Sequence, residues 1–317
     1  MKAFSIILIG LVALAGWVPE ACAKGEIEKR TYDFQEAGKE MEYQLYVPSH
    51  YTKSKKYPLV VVLHGLGSTP SQVIRYAGII EEAEARGYIV AAPFGYNERG
   101  WYGSMGPGVP GREMAGNLLG DLLGDPENLG ELSEKDVLNV LAIVRENYNV
   151  DENRIYLMGH SMGGGGTFHL GTKYPDLWAG LAPLSPALFG QPSIPENARD
   201  LPVMVVTGER DRLVAVSNVR RWVKKMEELE MDYVYNEIKG GNHFNTISRN
   251  PEMMAGVFDF FDERSRAGMS DTTASPIVKW VIGLIAVGAL VFFASRFEIQ
   301  GLRSQQVSIS RKNPQDS

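Results

Sequence analysis

The stretch "RIYLMGHSMGGGGTFHL", residues 154–170, constrains the fold of this chain more than any other. A short apolar run leads straight into Ser161, and four consecutive glycines, Gly163 to Gly166, open what otherwise reads as a helix. Each glycine in a helix interior costs about 1 kcal/mol relative to alanine, so a run of four calls for a geometric reason. Something must need close approach there. Residues Gly159, His160, Ser161, Met162 and Gly163 fit G-x-S-x-G, a sharp strand-to-helix turn that lifts a serine hydroxyl above a sheet edge. Small residues stand two before and two after the serine because the helix folds back at once against the strand.

The surroundings supply the context that such a turn requires. Short, nearly continuous apolar runs read as strands at 57–65 ("YPLVVVLHG"), 87–95, 154–161, 178–185, 201–211 and 232–243. Runs of that kind suit a parallel sheet covered on both faces. Helical patterns lie between them at 70–87, 133–148, after Ser161, at 216–230 and at 251–263. Ser133 and Asp136 read as a capping box, with Val137, Val140, Leu141 and Val144 forming one apolar stripe behind it. The alternation predicts an α/β domain with a mainly parallel, doubly wound sheet and helices on both faces. Residues 31–38 and 40–48 add an antiparallel pair at one edge. The connection from Gly95 to Ser133 is glycine-rich and poorly periodic, as binding loops and lids are. Trp101 and Tyr102 are its aromatic candidates for lining a substrate pocket.

The two ends read as membrane signals. Lys2 precedes the apolar run "AFSIILIGLVALAGWV", and "ACA" at 21–23 offers the small residues that a signal peptidase accepts. Residues 1–23 are therefore expected to be a signal peptide, with an uncleaved anchor as the alternative. Residues 277–295 are apolar on every face and about as long as the roughly 20 residues that span a bilayer. A buried core helix is the other reading of that run. It follows a polar stretch, 266–276, that reads as a linker, and Trp280 and Lys279 suit its outer edge. Beyond it, Arg296, Arg303, Arg311 and Lys312 outnumber Glu298 and Asp316, as expected of a cytoplasmic tail at 296–317. The expected topology places a catalytic domain, 24–265, outside the cytoplasm, periplasmic or extracellular.

The formal charge of the 317-residue chain is −6, and the positive tail leaves the body more acidic still. An acidic body argues against nucleic acid as a partner, because phosphate binding needs a basic face. Cys22 is the single cysteine, so no internal disulfide framework can form.

Three further features follow the order that the serine turn predicts. "VVLHGLG" at 61–67 ends a strand in a flexible turn, and the Leu66 and Met162 N–H groups are the candidates for an oxyanion hole. "VMVVTGERDRLV" ends a later strand in a loop carrying Asp211, the expected acid, with Glu209 as the alternative. The chain has five histidines, His50, His64, His160, His169 and His243, and only His243 lies beyond Asp211. His64 reads as a turn-stabilising residue, and His160 and His169 as local packing or hydrogen bonding. The arrangement predicts acyl transfer. His243 takes the Ser161 proton, Asp211 fixes the imidazole, and water releases the acyl group. The sequence shows no metal-ligand spacing and calls for no cofactor.

These residues resemble the α/β-hydrolase superfamily, and within it the esterase branch related to polyhydroxybutyrate depolymerases and feruloyl esterases. Prolyl-oligopeptidase-type peptidases are its cousins. The likeness spans roughly residues 43–263 and is most specific in "YPLVVVLHGLG", "DENRIYLMGHSMGGGGTFHLGTKYPDLWAGLAPLS", "VTGERDRLV" and "GGNH". It implies Ser161, Asp211 and His243 as the triad, Leu66 and Met162 as oxyanion donors, and an ester as substrate. The secreted depolymerases generally carry disulfides and binding modules, and the membrane anchor is not part of their pattern. Two alternatives stand beside the esterase: a peptidase of the prolyl-oligopeptidase type, which usually carries a propeller domain, and a catalytically silent binding ectodomain.

Overall fold

A computed structural model describes residues 25–105 and 124–269. The expected signal segment 1–23, residues 270–276 of the linker, the apolar run 277–295 and the tail 296–317 lie outside the described residues, as do residues 106–123 of the Gly95–Ser133 connection. Among the described residues no helix is long and apolar enough to cross a membrane. Residues Arg266–Met269, expected as linker, form a short helix instead.

Eight strands build one sheet: β1 (Ile27–Phe34), β2 (Lys39–Tyr46), β3 (Tyr57–Leu63), β4 (Ile89–Pro93), β5 (Val150–His160), β6 (Gly180–Leu184), β7 (Val203–Gly208) and β8 (Tyr233–Ile238). Their order is β1-β2-β4-β3-β5-β6-β7-β8. The β1–β2 and β2–β4 pairs are antiparallel, and every later pair is parallel. The expected antiparallel edge and parallel centre are both present.

Side-chain alternation along each strand divides the core in two. On β3, Leu59, Val61 and Leu63 join one cluster with α3 (Leu129–Asn147), α4 (Met162–Lys173) and α5 (Val216–Glu228), whose contributions include Val137, Val140, Phe168, Leu170, Val219 and Trp222. Val60 and Val62 face the other way, against Ile79 and Ala83 of α2 (Ile79–Arg86), Ile247 of α6 (Asn245–Ser248) and Met254, Val257, Phe258 and Phe261 of α7 (Pro251–Asp262). Both faces are covered, which is why these strands read as continuous apolar runs rather than alternating ones.

Two local expectations fail for long-range reasons. The helical pattern from Pro70 is broken into α1 (Pro70–Val73) and α2, because Gly78 adopts φ +94° and lies against Pro251 and Met254, where a Cβ would clash. Ser133 and Asp136 do not cap a helix. The helix begins at Leu129, and both residues are buried within it. Ser133 Oγ accepts the Tyr102 N–H at 3.0 Å, while Asp136 accepts the Gly95 N–H at 2.6 Å and the Tyr32 hydroxyl at 2.6 Å. The polar pair that looked like a local cap anchors the start of the long connection to the core.

Candidate active site

The serine turn is built by backbone contact. β5 ends at His160 and α4 begins at Met162, leaving Ser161 between them at φ 59°, ψ −115°. A non-glycine residue there carries about 1–3 kcal/mol of strain. The surroundings hold it: Ser161 N–H donates to Leu184 O at 2.9 Å, and Ser161 O accepts from Gly165 and Ala187 at 3.0 and 2.9 Å. A Cβ on Gly159 would strike Gly163, and one on Gly163 would strike the Leu63 carbonyl. At Gly164, Gly165 and Gly166 it would meet Pro186, Ala187 and the Tyr102 ring, each closer than 3.0 Å. All four glycines of the run are thus required by close approach.

Asp211 follows β7 and His243 follows β8, neighbouring parallel strands whose loops emerge on one side. Asp211 Oδ2 lies 2.7 Å from His243 Nδ1, and both residues are buried. Its other oxygen accepts N–H groups from Leu213 and Val214 at 2.9 and 2.8 Å, so the carboxylate cannot swing away. Glu209 serves elsewhere: its Oε2 accepts Gly240 N–H at 2.7 Å, bracing the loop that carries His243.

Ser161 and His243 line one cleft of about 700 Å³ together with Gly65, Leu66, Tyr76, Trp101, Leu188, Phe189, Leu213 and Phe244, among others. Gly65 abuts the serine, since a Cβ there would lie 3.4 Å from Ser161 Cβ. The Leu66 N–H has no backbone acceptor among the described residues. Met162 is the first residue of α4, whose N–H has no intrahelical partner. Neither amide is taken up by a backbone acceptor among the described residues, as a donor to an oxyanion must not be.

Trp101 borders the cleft, edge-to-face with Phe189 at 5.3 Å between ring centroids. Tyr102 does not. It is fully buried, its hydroxyl accepts the His64 N–H at 3.1 Å, and its ring fills the space left by Gly166. Expectation fails here because Tyr102, at φ 51°, turns its side chain inward from the loop.

His64 and His169 are engaged in hydrogen bonds of the fold. His64 is buried with its ring nitrogens 2.9 and 2.8 Å from the Gly65 and Phe94 carbonyls. His169 meets Glu134, which also holds Lys173 and Tyr174. His160 reaches beyond its own neighbourhood, since its Nε2 lies 2.8 Å from the His243 carbonyl.

Tyr76, Phe189, Leu213 and Phe244 were missed as cleft residues. A signal existed for two of them: Leu213 and Phe244 follow the expected acid and base by two and one positions, as Leu66 follows Gly65. Apolar residues in glycine-rich loops beside reactive ones had no core to fill. Leu66, Leu213 and Phe244 are 58%, 66% and 59% exposed, and Phe189 is 41% exposed.

The chain is similar to known esterases and other serine hydrolases. The family described as serine aminopeptidase, S33, matches residues 54–201. A putative esterase, NocK, from Nocardia uniformis subsp. tsuyamanensis is 28% identical over 178 residues, covering 56% of this chain and 47% of that protein. Cutinase est2 from Thermobifida alba is 33% identical over 123 residues, covering 37% of this chain and 39% of the cutinase. The chain spans less than half the length of these curated relatives. Among solved structures, a thermostable esterase superposes with a TM-score of 0.57 at 27% identity, covering 76% of this chain and 63% of that one.

Proposed function

Given that this chain belongs to the α/β-hydrolase superfamily and that its similarities fall among serine esterases, we propose that it hydrolyses carboxylic esters through Ser161, His243 and Asp211. The observation that carries this reading is the Asp211–His243 hydrogen bond at 2.7 Å beside a strained serine in the same cleft. With Nδ1 engaged by Asp211, the imidazole keeps Nε2 for proton transfer. As Ser161 Oγ attacks the carbonyl carbon, its proton passes to His243 and the carbonyl oxygen becomes an oxyanion bound by the Leu66 and Met162 N–H groups. Collapse expels the alcohol, which takes the proton from His243. Water, deprotonated by the same imidazole, then attacks the acyl-enzyme and releases the acid. Each amide donor at such an oxyanion contributes about 3–4 kcal/mol to the transition state.

The cleft favours neutral, apolar esters. No Asp, Glu, Lys or Arg lines it among the described residues, and its rim is formed by exposed leucine and phenylalanine. Among the described residues a substrate with a free α-ammonium group meets no carboxylate in the cleft, which speaks for esters over the aminopeptidase activity named in the matching family's description. A groove beside it shares Leu188, Phe189, Ala215 and Asn218 and is lined by Arg221 as well.

Labelling with a fluorophosphonate probe, together with a panel of p-nitrophenyl esters and peptide amides, tests the assignment. Labelling lost in Ser161→Ala, and turnover of esters but not amides, is expected. Full labelling of Ser161→Ala overturns the triad, and absence of labelling in the folded parent revives the silent ectodomain.

For the termini, the apolar segments 1–23 and 277–295 and the positive tail support export of the catalytic domain and anchoring by a single C-terminal span. Protease treatment of intact cells should digest the domain and protect an epitope on residues 296–317. Protection of the domain and digestion of the tail reverses that topology.

A further inference from the structure

His160 stands immediately before the nucleophile, and it is 2% exposed. Its ring sits where three separate stretches of chain meet. Nε2 is 2.8 Å from the carbonyl oxygen of His243, and Nδ1 is 3.0 Å from the hydroxyl of Tyr76. A carbonyl only accepts, so Nε2 carries the proton, and Nδ1 of the neutral ring accepts from Tyr76. The tautomer is therefore fixed by its two partners. The His160 and His243 rings lie 4.8 Å apart between centroids, inclined by 36°.

No other hydrogen-bond donor reaches the His243 carbonyl among the described residues. The loop is tied further back, where Arg210 N–H donates to Gly241 O and Gly240 N–H to Glu209. It is tied further on by Asn242, whose Oδ1 accepts from Phe244 and Asn245. Between those ties the orientation of His243 rests on two points: Asp211 at the ring and His160 at the backbone. Tyr76 is itself fixed, because the next residue, Ala77, donates to Ser248 O at 3.1 Å and Gly78 lies against Pro251 and Met254.

We propose that His160, with its tautomer set by Tyr76, is a positioning residue that fixes the catalytic imidazole of His243 relative to Ser161 through the His243 carbonyl. The proposal rests on the reading of His243 as the base. Burial, with His243 as the next cause, lowers the His160 pKa to about 4, which keeps the ring neutral during turnover. One imidazole thereby couples the strand that ends in the nucleophile to the loop that ends in the base. A shift of about 1 Å in a reacting group can cost on the order of 100-fold in rate.

Two substitutions divide the contacts. The amide of Gln reaches about as far as Nε2 and can still donate to the His243 carbonyl, whereas Asn reaches only as far as Nδ1. With p-nitrophenyl butyrate and the full-length chain, His160→Asn is expected to lower kcat about 10- to 100-fold while KM stays within about twofold. His160→Gln is expected to recover kcat to within about fivefold of the parent. Tyr76→Phe, which keeps the ring but removes the donor to Nδ1, serves if His160→Asn does not fold. It should lower kcat about 3- to 10-fold and diminish the Nε2–H form of His160 in nitrogen NMR. Parental kcat in His160→Asn, or equal losses in the Asn and Gln variants at matched melting temperature, overturns the proposal. Parental kcat and an unchanged tautomer in Tyr76→Phe does the same. Ser161→Ala and His243→Ala are run beside them. If those two retain activity, the triad reading fails, an outcome distinct from failure of the positioning role.

Discussion

Asp211 and His243 come from loops after adjacent parallel strands and meet in a buried hydrogen bond of 2.7 Å, while Leu213 and Val214 hold the aspartate's other oxygen. The carboxylate is thus an acceptor on both sides. It faces one ring nitrogen and leaves the other to the cleft.

Replacing the carboxylate by an amide reverses that polarity. In Asp211→Asn the side chain can present N–H to Nδ1, which favours the tautomer with its proton on Nε2, where a base needs a lone pair. The expected loss is about 10⁴-fold in kcat. Glu209→Gln, which alters only the exposed contact with Gly240, is expected to stay within a few-fold of the parent, and steady-state kinetics on p-nitrophenyl acetate compares the two.

Gly166 and Gly256 should respond to alanine in opposite directions. A methyl at Gly166 meets the Tyr102 ring, which is buried between His64 and Ser133, and overpacking of this kind costs about 1–3 kcal/mol. Gly256 lies within α7 with nothing within 4 Å of its added Cβ. Helix propensity alone predicts a gain there of about 0.5–1 kcal/mol. Denaturant titration should show the midpoint falling for Gly166→Ala and rising for Gly256→Ala.

The exposed rim predicts a chain-length effect. Leu213 is 66% exposed at the cleft mouth, so an acyl or alcohol chain long enough to reach it would cover apolar surface. Leu213→Ala is expected to raise KM about 3- to 10-fold for octanoate esters and leave acetate esters unchanged. Equal KM changes for both would remove the rim from substrate binding.

Burial of His160 should make the fold sensitive to acid. The folded-state pKa of His160 is about 4, below its ordinary value of 6.5, with burial the main cause and His243 the next. As pH falls through 6.5 the unfolded chain takes up this proton first. The associated stability is therefore fully present above pH 6.5 and is lost progressively down to about pH 4. The amount at stake is up to about 3 kcal/mol. His64 is shifted in the same direction, chiefly by burial, and adds to the slope. The buried Asp136 carboxyl, pushed up to about 6 chiefly by burial, acts in the opposite direction over the same range, so the reading is a difference: between pH 7 and 4.5 the denaturation midpoint should fall less, or rise more, in His160→Gln than in the parent. An unchanged slope in the variant would remove His160 as its source.

What could be read in the chain was set by contacts between near neighbours. β3 and β5 announce themselves as apolar runs because both faces are covered, and Gly159 and Gly163 lie close in sequence to the serine they accommodate. Asp211 and His243 follow from order along the chain and from the small number of histidines. What escaped depends on distant partners. Gly78 interrupts a good helical pattern because Pro251 and Met254 occupy the space beside it. Ser133 and Asp136 imitate a cap, yet their partners, Tyr102 and Gly95, sit in the preceding connection. Tyr102 reads as a pocket-lining aromatic of its connection, like Trp101, and only the room left by Gly166 shows why it turns inward.

The four glycines behind Ser161 also bear on when the chain becomes reactive. A 12-residue segment with so little helical preference is a poor helix by itself, and α4 gains its order from the strands and loops it touches. Until β3 and β6 are in place, nothing holds the hydroxyl in its unusual backbone setting. Ester turnover recovered after dilution from denaturant therefore reports completion of the sheet, and should lag behind any probe that follows the emergence of helices elsewhere in the molecule.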